Sequence, residues 1–196
     1  MADSVKLILA SRSPRRRQLL AAAGVAFDAV ESGIPEGHTG TEKPRKYAVR
    51  MAREKALAVS RHYPDALVVG ADTIVVCGGQ VLEKPESPAE ARGMLMLLSG
   101  LTHEVVTAFA IARGGMILES EPVESRVSFR VLSNQEIDAY IATGEPFDKA
   151  GAYGIQGQAA GFIVRVEGPR DNVMGLPTEK VVAALGRYRV GKSETS

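Results

Sequence analysis

The chain has 196 residues with 24 Lys and Arg against 23 Asp and Glu, a formal net charge of +1, 45% hydrophobic residues and no Trp; so much apolar material beside ordinary Gly and Pro contents excludes a disordered or fibrous chain. The length suits one domain, expected over 1–189 with 190–196 as a frayed tail, and the balanced charge argues against the broad basic footprint of a polymeric nucleic-acid binder, so any anion site must be focal. A single cysteine, Cys77, excludes a disulfide framework and a multi-cysteine zinc site, and the apolar run Leu7 to Ala10 is far below the ~18 residues of a membrane span; the expectation is a soluble, cytoplasmic chain with no membrane partner.

Val5 to Ala10 reads as a buried strand, and Ser13-Pro14 supplies an N-cap and a first-turn proline for a helix that runs to about Ala23 and ends at Gly24. A second helix follows Pro44, because Tyr47, Ala48, Met51, Ala52, Ala58 and Val59 share one face at helical periodicity. Leu67 to Cys77 is a strand that Gly78-Gly79 turns into a hairpin with Gln80 to Leu82. Ser87-Pro88-Ala89-Glu90 has the pattern of a capping box and opens a helix that should stop at Gly100.

Val105 to Ala112, the Gly114-Gly115 turn and Met116 to Glu119 form a second predicted hairpin, and Val123, Val127, Phe129 and Val131 alternate with polar residues as a separate half-buried strand does. Ser133-Asn134-Gln135-Glu136 is another capping box, stapled by Leu132 and Ile137, for a helix ending near Gly144. Phe162 to Val166 is the last clear strand, and Pro177 begins a C-terminal helix. Strands and helices interleave while hairpins prevent an all-parallel sheet, so the expected fold is α/β with a mixed twisted sheet and flanking helices.

Ser11-Arg12-Ser13-Pro14-Arg15-Arg16-Arg17 lies between a strand and a helix start, where free N–H groups, the helix dipole and forked guanidinium donors suit phosphate; an ordinary Ser-Pro cap with solvated arginines would read the same way. Neither GxxxxGK followed by Ser or Thr nor GxGxxG is present, so such a phosphate site would be of another kind. Asp72 and Thr73 interrupt the apolar strand 67–76, and a carboxylate there must be paired, bound to metal or facing a cleft, unless backbone donors hold it as a structural group. Lys55 falls inside the buried stripe of the second helix, either as a buried cation or as a snorkelling one. Glu83-Lys84-Pro85 and Asp148-Lys149-Ala150-Gly151 add charges beside loop Pro and Gly. In Gly151-Ala152-Tyr153-Gly154-Ile155-Gln156-Gly157 the glycines permit close backbone approach and the amide can pair with a base edge or a phosphate, or the segment is a flexible connector. His38, His62 and His103 show no metal-ligand spacing and read as surface or structural residues, and no GxSxG nucleophile pattern occurs.

Taken together, six ordered segments resemble the Maf family of nucleoside triphosphate pyrophosphatases: Leu9 to Arg16, Ala52 to Ala56, Gly70 to Thr73, Glu83 to Pro85, Asp148 to Gly157, and Gly175 to Pro177. The resemblance implies cleavage between the α- and β-phosphates to nucleoside monophosphate and pyrophosphate, so removing non-standard or excess nucleotides. It also implies two lobes around a central cleft in a fold related to inosine triphosphatase, a homodimer, and a divalent metal, Mg²⁺ with Mn²⁺ or Co²⁺ as alternatives. By motif position, Ser11, Arg15 and Arg16 belong to a phosphate loop, Thr73 contacts substrate, and Lys55 and Lys84 hold phosphate or stabilise the transition state. Asp72 becomes the general base or a metal-organising acid, and Glu36 a metal-side carboxylate, although Pro35 stands where the family commonly has an acidic residue. Gln156 in Gly154-Ile155-Gln156-Gly157 resembles the branch acting on dTTP and UTP; a branch acting on 7-methyl-GTP usually carries glutamate there. The alternative is a nucleotide-responsive binding protein that inhibits septum formation in cell division, and an acid phosphatase or nucleotide kinase is a third reading that the released product would decide.

Overall fold

In the computed structural model residues 5–37 and 40–188 are described; the expected tail 190–196 and His38 lie outside the described residues. The elements in chain order are β1 (Leu7–Ala10), α1 (Pro14–Ala22), β2 (Asp28–Val30), α2 (Pro44–Ser60), β3 (Leu67–Cys77), β4 (Gln80–Leu82), α3 (Pro88–Leu98), β5 (Thr102–Arg113), β6 (Met116–Phe129), α4 (Asn134–Ala142), β7 (Ile163–Glu167), α5 (Arg170–Met174) and α6 (Thr178–Tyr188), with short 3₁₀ turns between α4 and β7. One seven-stranded mixed sheet runs β2-β1-β3-β5-β6-β7, with β4 added to β3. The β1 strand lies parallel to both β2 and β3, and every other pairing is antiparallel.

The length of β3 makes the opening in this sheet. On one edge β1 pairs with Leu67 to Gly70 and β4 pairs with Val75 to Cys77, so 71–74 has no strand beside it there. At that gap the chain leaves the carboxyl end of β1 and turns into α1, which is the place where open α/β sheets offer a crevice to ligands.

Alternation along β3 sends Asp72 to one face and Thr73 to the other. On the Asp72 face α2 packs directly against the sheet, burying Ala48, Met51, Ala52 and Ala56 against Val68, Ile74, Val106 and Ala108. The close approach depends on Gly70, because a Cβ there would sit 2.3 Å from the Ala52 carbonyl oxygen and 2.6 Å from the Ala56 nitrogen. The Thr73 face carries two apolar clusters. Leu67, Val69, Phe109 and Ile111 pack with α6 at one end, and Val75, Val105, Val127 and Phe129 with α3 and α4 at the other. Thr73 and Thr107, paired across β3 and β5, stand between those clusters. Two lobes therefore meet at a polar waist.

The predicted second hairpin forms as β5 and β6, but its second arm and the half-buried strand expected after it are one continuous strand, β6, running through Pro122. Because β7 pairs only with Arg126 to Phe129, the stretch around Pro122 is a sheet edge where the missing N–H costs no ladder bond. The Ser133 capping box is complete, whereas at Ser87 only half forms: Ser87 Oγ accepts the Glu90 N–H, and the Glu90 carboxylate takes the Glu86 N–H instead. Strand β2 and helix α5, three and five residues long, carry no periodic signal at that length and were not anticipated.

Candidate active site

A cleft of about 640 Å³ opens at the β3 gap, and Ser11, Arg15, Arg16, Glu36, Lys55, Asp72, Thr73, Lys84 and Gln156 all lie on its walls. These come from five separate parts of the chain: the β1–α1 turn, the loop after β2, helix α2, the β3–β4 region and the loop after α4. The fold thus brings together the nine residues given a site role from the sequence.

On the α2 side, Tyr47, Met51 and Lys55 recur at four-residue spacing along the buried face of the helix. Lys55 is only 4% exposed, and its Nζ donates to Asp72 Oδ1 at 2.6 Å and to Glu36 Oε1. Its head group is buried against the Asp72 carboxylate, which removes the snorkelling reading. Lys84 Nζ donates to the second Glu36 oxygen at 2.8 Å, so four groups form a chain of alternating charge, Asp72–Lys55–Glu36–Lys84. Asp72 is held by a lysine, not by backbone donors. Burial pushes its carboxyl above the ordinary value, and Lys55 and Arg16 oppose that shift without cancelling it. Burial pushes Glu36 upward as well, but Lys55 and Lys84 together outweigh it and bring that carboxyl down to about 2.

On the α1 side, Ser11 Oγ accepts the Ser13 N–H at 3.1 Å and Ser13 Oγ caps the helix through the Arg16 N–H. The two arginines are not loose in solvent. Arg15 forms an ion pair with Asp148 at 2.9 Å, while Arg16 donates from Nε to the Gly175 carbonyl at 2.8 Å and from Nη2 to Thr73 Oγ1 at 3.1 Å.

The loop after α4 closes the cleft, and its first half is a packed turn, not a flexible connector. Gly151, Ala152 and Tyr153 are buried, Gly151 N–H donates to the Glu83 carbonyl, and an added Cβ at Gly151 would meet the Val75 side chain at 2.9 Å. Ala152 has φ 62°, the only non-glycine residue with positive φ among those described; such backbone strain concentrates at functional sites. Gln156 is exposed on the wall and makes no hydrogen bond within the described residues.

Several residues that support the cleft carry no site role from the sequence: Thr107 and Asn172 are not singled out, His103 reads as surface or structural, and Asp148, Lys149 and Tyr153 stand only within loop segments. Tyr153 lines it and shares a 2.7 Å hydrogen bond with His103 Nε2, and burial lowers His103 to about 4. Asp148 and Lys149 also lie on the wall, tied to each other at 2.5 Å. Thr107 and Asn172 are wholly buried beneath Thr73. Asn172 gives no signal in the sequence, because it stands beside Arg170 and Asp171 in a polar, Gly- and Pro-containing stretch.

A family model described as Maf-like protein matches residues 6–188. A protein named dTTP/UTP pyrophosphatase from Geotalea uraniireducens is 50% identical over 184 residues, covering 92% of this chain and 94% of that one. A protein of the same name from Salmonella typhimurium is 48% identical over 183 residues, covering 93% and 92%. Among solved structures, a HAM1 protein from Coxiella burnetii has a TM-score of 0.50 at 13% identity, covering 93% of this chain and 99% of that one, a likeness of fold alone.

Proposed function

The chain belongs to the Maf family, and from that membership we propose that it hydrolyses the α–β phosphoanhydride bond of dTTP and UTP, giving nucleoside monophosphate and pyrophosphate. The observation that carries the reading is the alternating chain Asp72–Lys55–Glu36–Lys84 facing the N-terminus of α1 across one cleft. A triphosphate offers Lys55 and Lys84 the anionic oxygens that Glu36 supplies in its absence, and the Arg15 and Arg16 guanidinium groups add donors for the same polyphosphate.

Attack of water on the α-phosphorus forms one P–O bond and breaks the bond to the bridging oxygen, which leaves with pyrophosphate. Asp72, raised by burial and directed into the cleft, takes the proton of the attacking water. Lys55 and Lys84 stabilise the charge that grows on the departing pyrophosphate. The Gln156 amide, both donor and acceptor, suits the imide edge of thymine or uracil, which a carboxylate could not match.

No group of three or more His, Cys, Asp or Glu gathers among the described residues. Glu36 and Asp72 nevertheless share one cation, Lys55, and once phosphate oxygens engage the lysines those carboxylates need a positive partner. Mg²⁺ is commonly held by one or two carboxylates together with substrate phosphates, so the donor set fits, with Glu36 and Asp72 as its protein ligands. Bound there, the ion would supply Lewis-acid polarisation of a phosphate oxygen. Homodimerisation and a cytoplasmic location belong to the same proposal; the buried, unpaired Cys77 suits a reducing compartment.

The test is a panel of dTTP, UTP, ATP, GTP and 7-methyl-GTP with Mg²⁺, with pyrophosphate and phosphate detected separately. Pyrophosphate released fastest from dTTP and UTP is the expected result. Nucleoside diphosphate and phosphate as main products would overturn the assignment.

A further inference from the structure

Beneath the cleft lies a row of buried hydroxyls whose protons can be counted. Thr107 Oγ1 donates to the Asn172 carbonyl at 2.7 Å, which uses the single hydroxyl hydrogen of Thr107. In the 2.9 Å contact between Thr73 Oγ1 and Thr107 Oγ1, Thr73 must then be the donor, because Thr107 has no second hydrogen to give. With its own hydrogen turned inward, Thr73 can meet Arg16 only as an acceptor, and Arg16 Nη2 donates to it at 3.1 Å. One direction satisfies all three bonds, from Arg16 to Thr73 to Thr107 to the Asn172 carbonyl.

The same carbonyl closes a ring. Asn172 O also accepts the Gly175 N–H at 3.0 Å, and the Gly175 carbonyl accepts Arg16 Nε at 2.8 Å. Asn172 is itself pinned, its Nδ2 donating to the Val105 carbonyl at 3.1 Å and to Ser125 Oγ at 3.0 Å. Both fixed N–H groups of Arg16 therefore trace back to one backbone carbonyl on α5, and Thr107 is the hub that joins it to β3. Of the guanidinium's five donors two are consumed in this ring and the others are left for a ligand. Such chains strengthen cooperatively and hold a single geometry.

We propose that Thr107, wholly buried and away from the cleft wall, is a positioning residue that acts through Thr73 to fix the Arg16 guanidinium for the polyphosphate, and that Thr73 orients Arg16 and does not donate to substrate. The inference rests on the reading of Arg16 as a phosphate ligand. It differs from a general packing role in one respect: the effect of losing the Thr107 hydroxyl must pass through Arg16.

The experiment is a double-mutant cycle with Thr107→Val, which keeps the shape and deletes the hydroxyl, Thr107→Ser, which keeps the hydroxyl, and Arg16→Ala. Each variant is measured for kcat/KM on dTTP and for thermal unfolding, and exchange of the Arg16 Nε hydrogen is followed by NMR in the Thr107 variants and the parent. Thr107→Val should lower kcat/KM about tenfold or more, and Thr107→Ser should recover most of it. In the Arg16→Ala background the Val substitution should cost less than about twofold, while Nε–H exchange should speed by about tenfold in Thr107→Val with Arg16 present. Equal losses with and without Arg16, no recovery by Ser, or unchanged Nε–H exchange would each overturn the proposal. If the parent released no pyrophosphate from any nucleotide, the functional reading would fall, and Nε–H exchange would still decide whether Thr107 fixes Arg16.

Discussion

Replacing Asp72 by Asn separates what the fold asks of this position from what the chemistry asks. The amide keeps the volume and leaves Oδ1 to accept from Lys55 Nζ, now 2.6 Å away, but it can neither take a proton nor carry charge. If Asp72 takes the proton of the attacking water as proposed, its replacement should cost about 10²- to 10⁴-fold in kcat, or about 2.7–5.4 kcal/mol of barrier. The effect on stability has the opposite sign. With its folded value raised above the ordinary 3.8, the carboxyl binds more protons folded than unfolded as pH climbs through that window, so stability falls with rising pH there and the deficit persists at neutrality. Asn removes the deficit while Glu36 still neutralises Lys55. Pyrophosphate release from dTTP should collapse while the midpoint of thermal unfolding at pH 7.5 stays level or rises. Near-parental turnover in the folded variant, or a midpoint lowered by many degrees, would refute the argument.

Lys84 is half exposed, so Lys84→Ala should lower kcat/KM while costing no more than about 1 kcal/mol of stability, and the residual products should remain monophosphate and pyrophosphate on chromatography. Lys55→Ala leaves Asp72 buried without its partner, so it should cost about 3–5 kcal/mol of stability in denaturant titrations as well as activity. Gln156→Glu should erode the preference for dTTP and UTP over 7-methyl-GTP in a competition assay; a parent protein that favours 7-methyl-GTP would sink the base-recognition argument while leaving the bond assignment standing. Glu36, depressed to about 2, adds stability above its unfolded value that disappears as pH falls toward the folded one. Acid-unfolding curves of the parent and Glu36→Gln should therefore converge between about pH 4.5 and 2, and parallel curves through that window would show that the lysines do not hold this carboxylate.

Helix periodicity alone put Lys55 on the buried face of α2, and an apolar run of strand residues made Asp72 conspicuous, so both halves of the central ion pair were visible as anomalies. What neither pattern could supply was the partnership, because strand and helix meet only through the close approach that Gly70 permits. The waist was less legible still. Thr73 and Thr107 are 34 residues apart, Thr107 and Asn172 are 65, and His103 and Tyr153 are 50; Thr73 stood out by interrupting an apolar strand, but no local pattern ties it or the others to their partners. The loop from 148 to 157 displayed its glycines but not its packing: the contact of Gly151 with Val75 that buries the turn comes from a strand more than seventy residues earlier. Local patterns report which side chains are out of place, and tertiary register reports what they are out of place for.

The charge of the cleft follows from the same logic. Arg12, Arg15, Arg16, Lys55, Lys84 and Lys149 face Glu31, Glu36, Asp72 and Asp148 across it, a local excess of two positive charges in a chain whose net charge is only +1. An excess held in a concave site with low-dielectric walls focuses the field on a polyanion, where the same charges spread over a surface would be screened. The carboxylates do more than reduce that excess. Glu36 bridges Lys55 and Lys84, and Asp148 holds Arg15, so each cation already stands in hydrogen-bonded order before a phosphate arrives. A triphosphate that takes these cations exchanges one set of oxygen acceptors for another without having to order long side chains, and less of its binding energy is lost to their entropy. The carboxylates so displaced carry the charge that a divalent ion would meet. On the proposed reading, such a cleft would distinguish a polyphosphate from a monophosphate by how many of its internal ion pairs the ligand can replace.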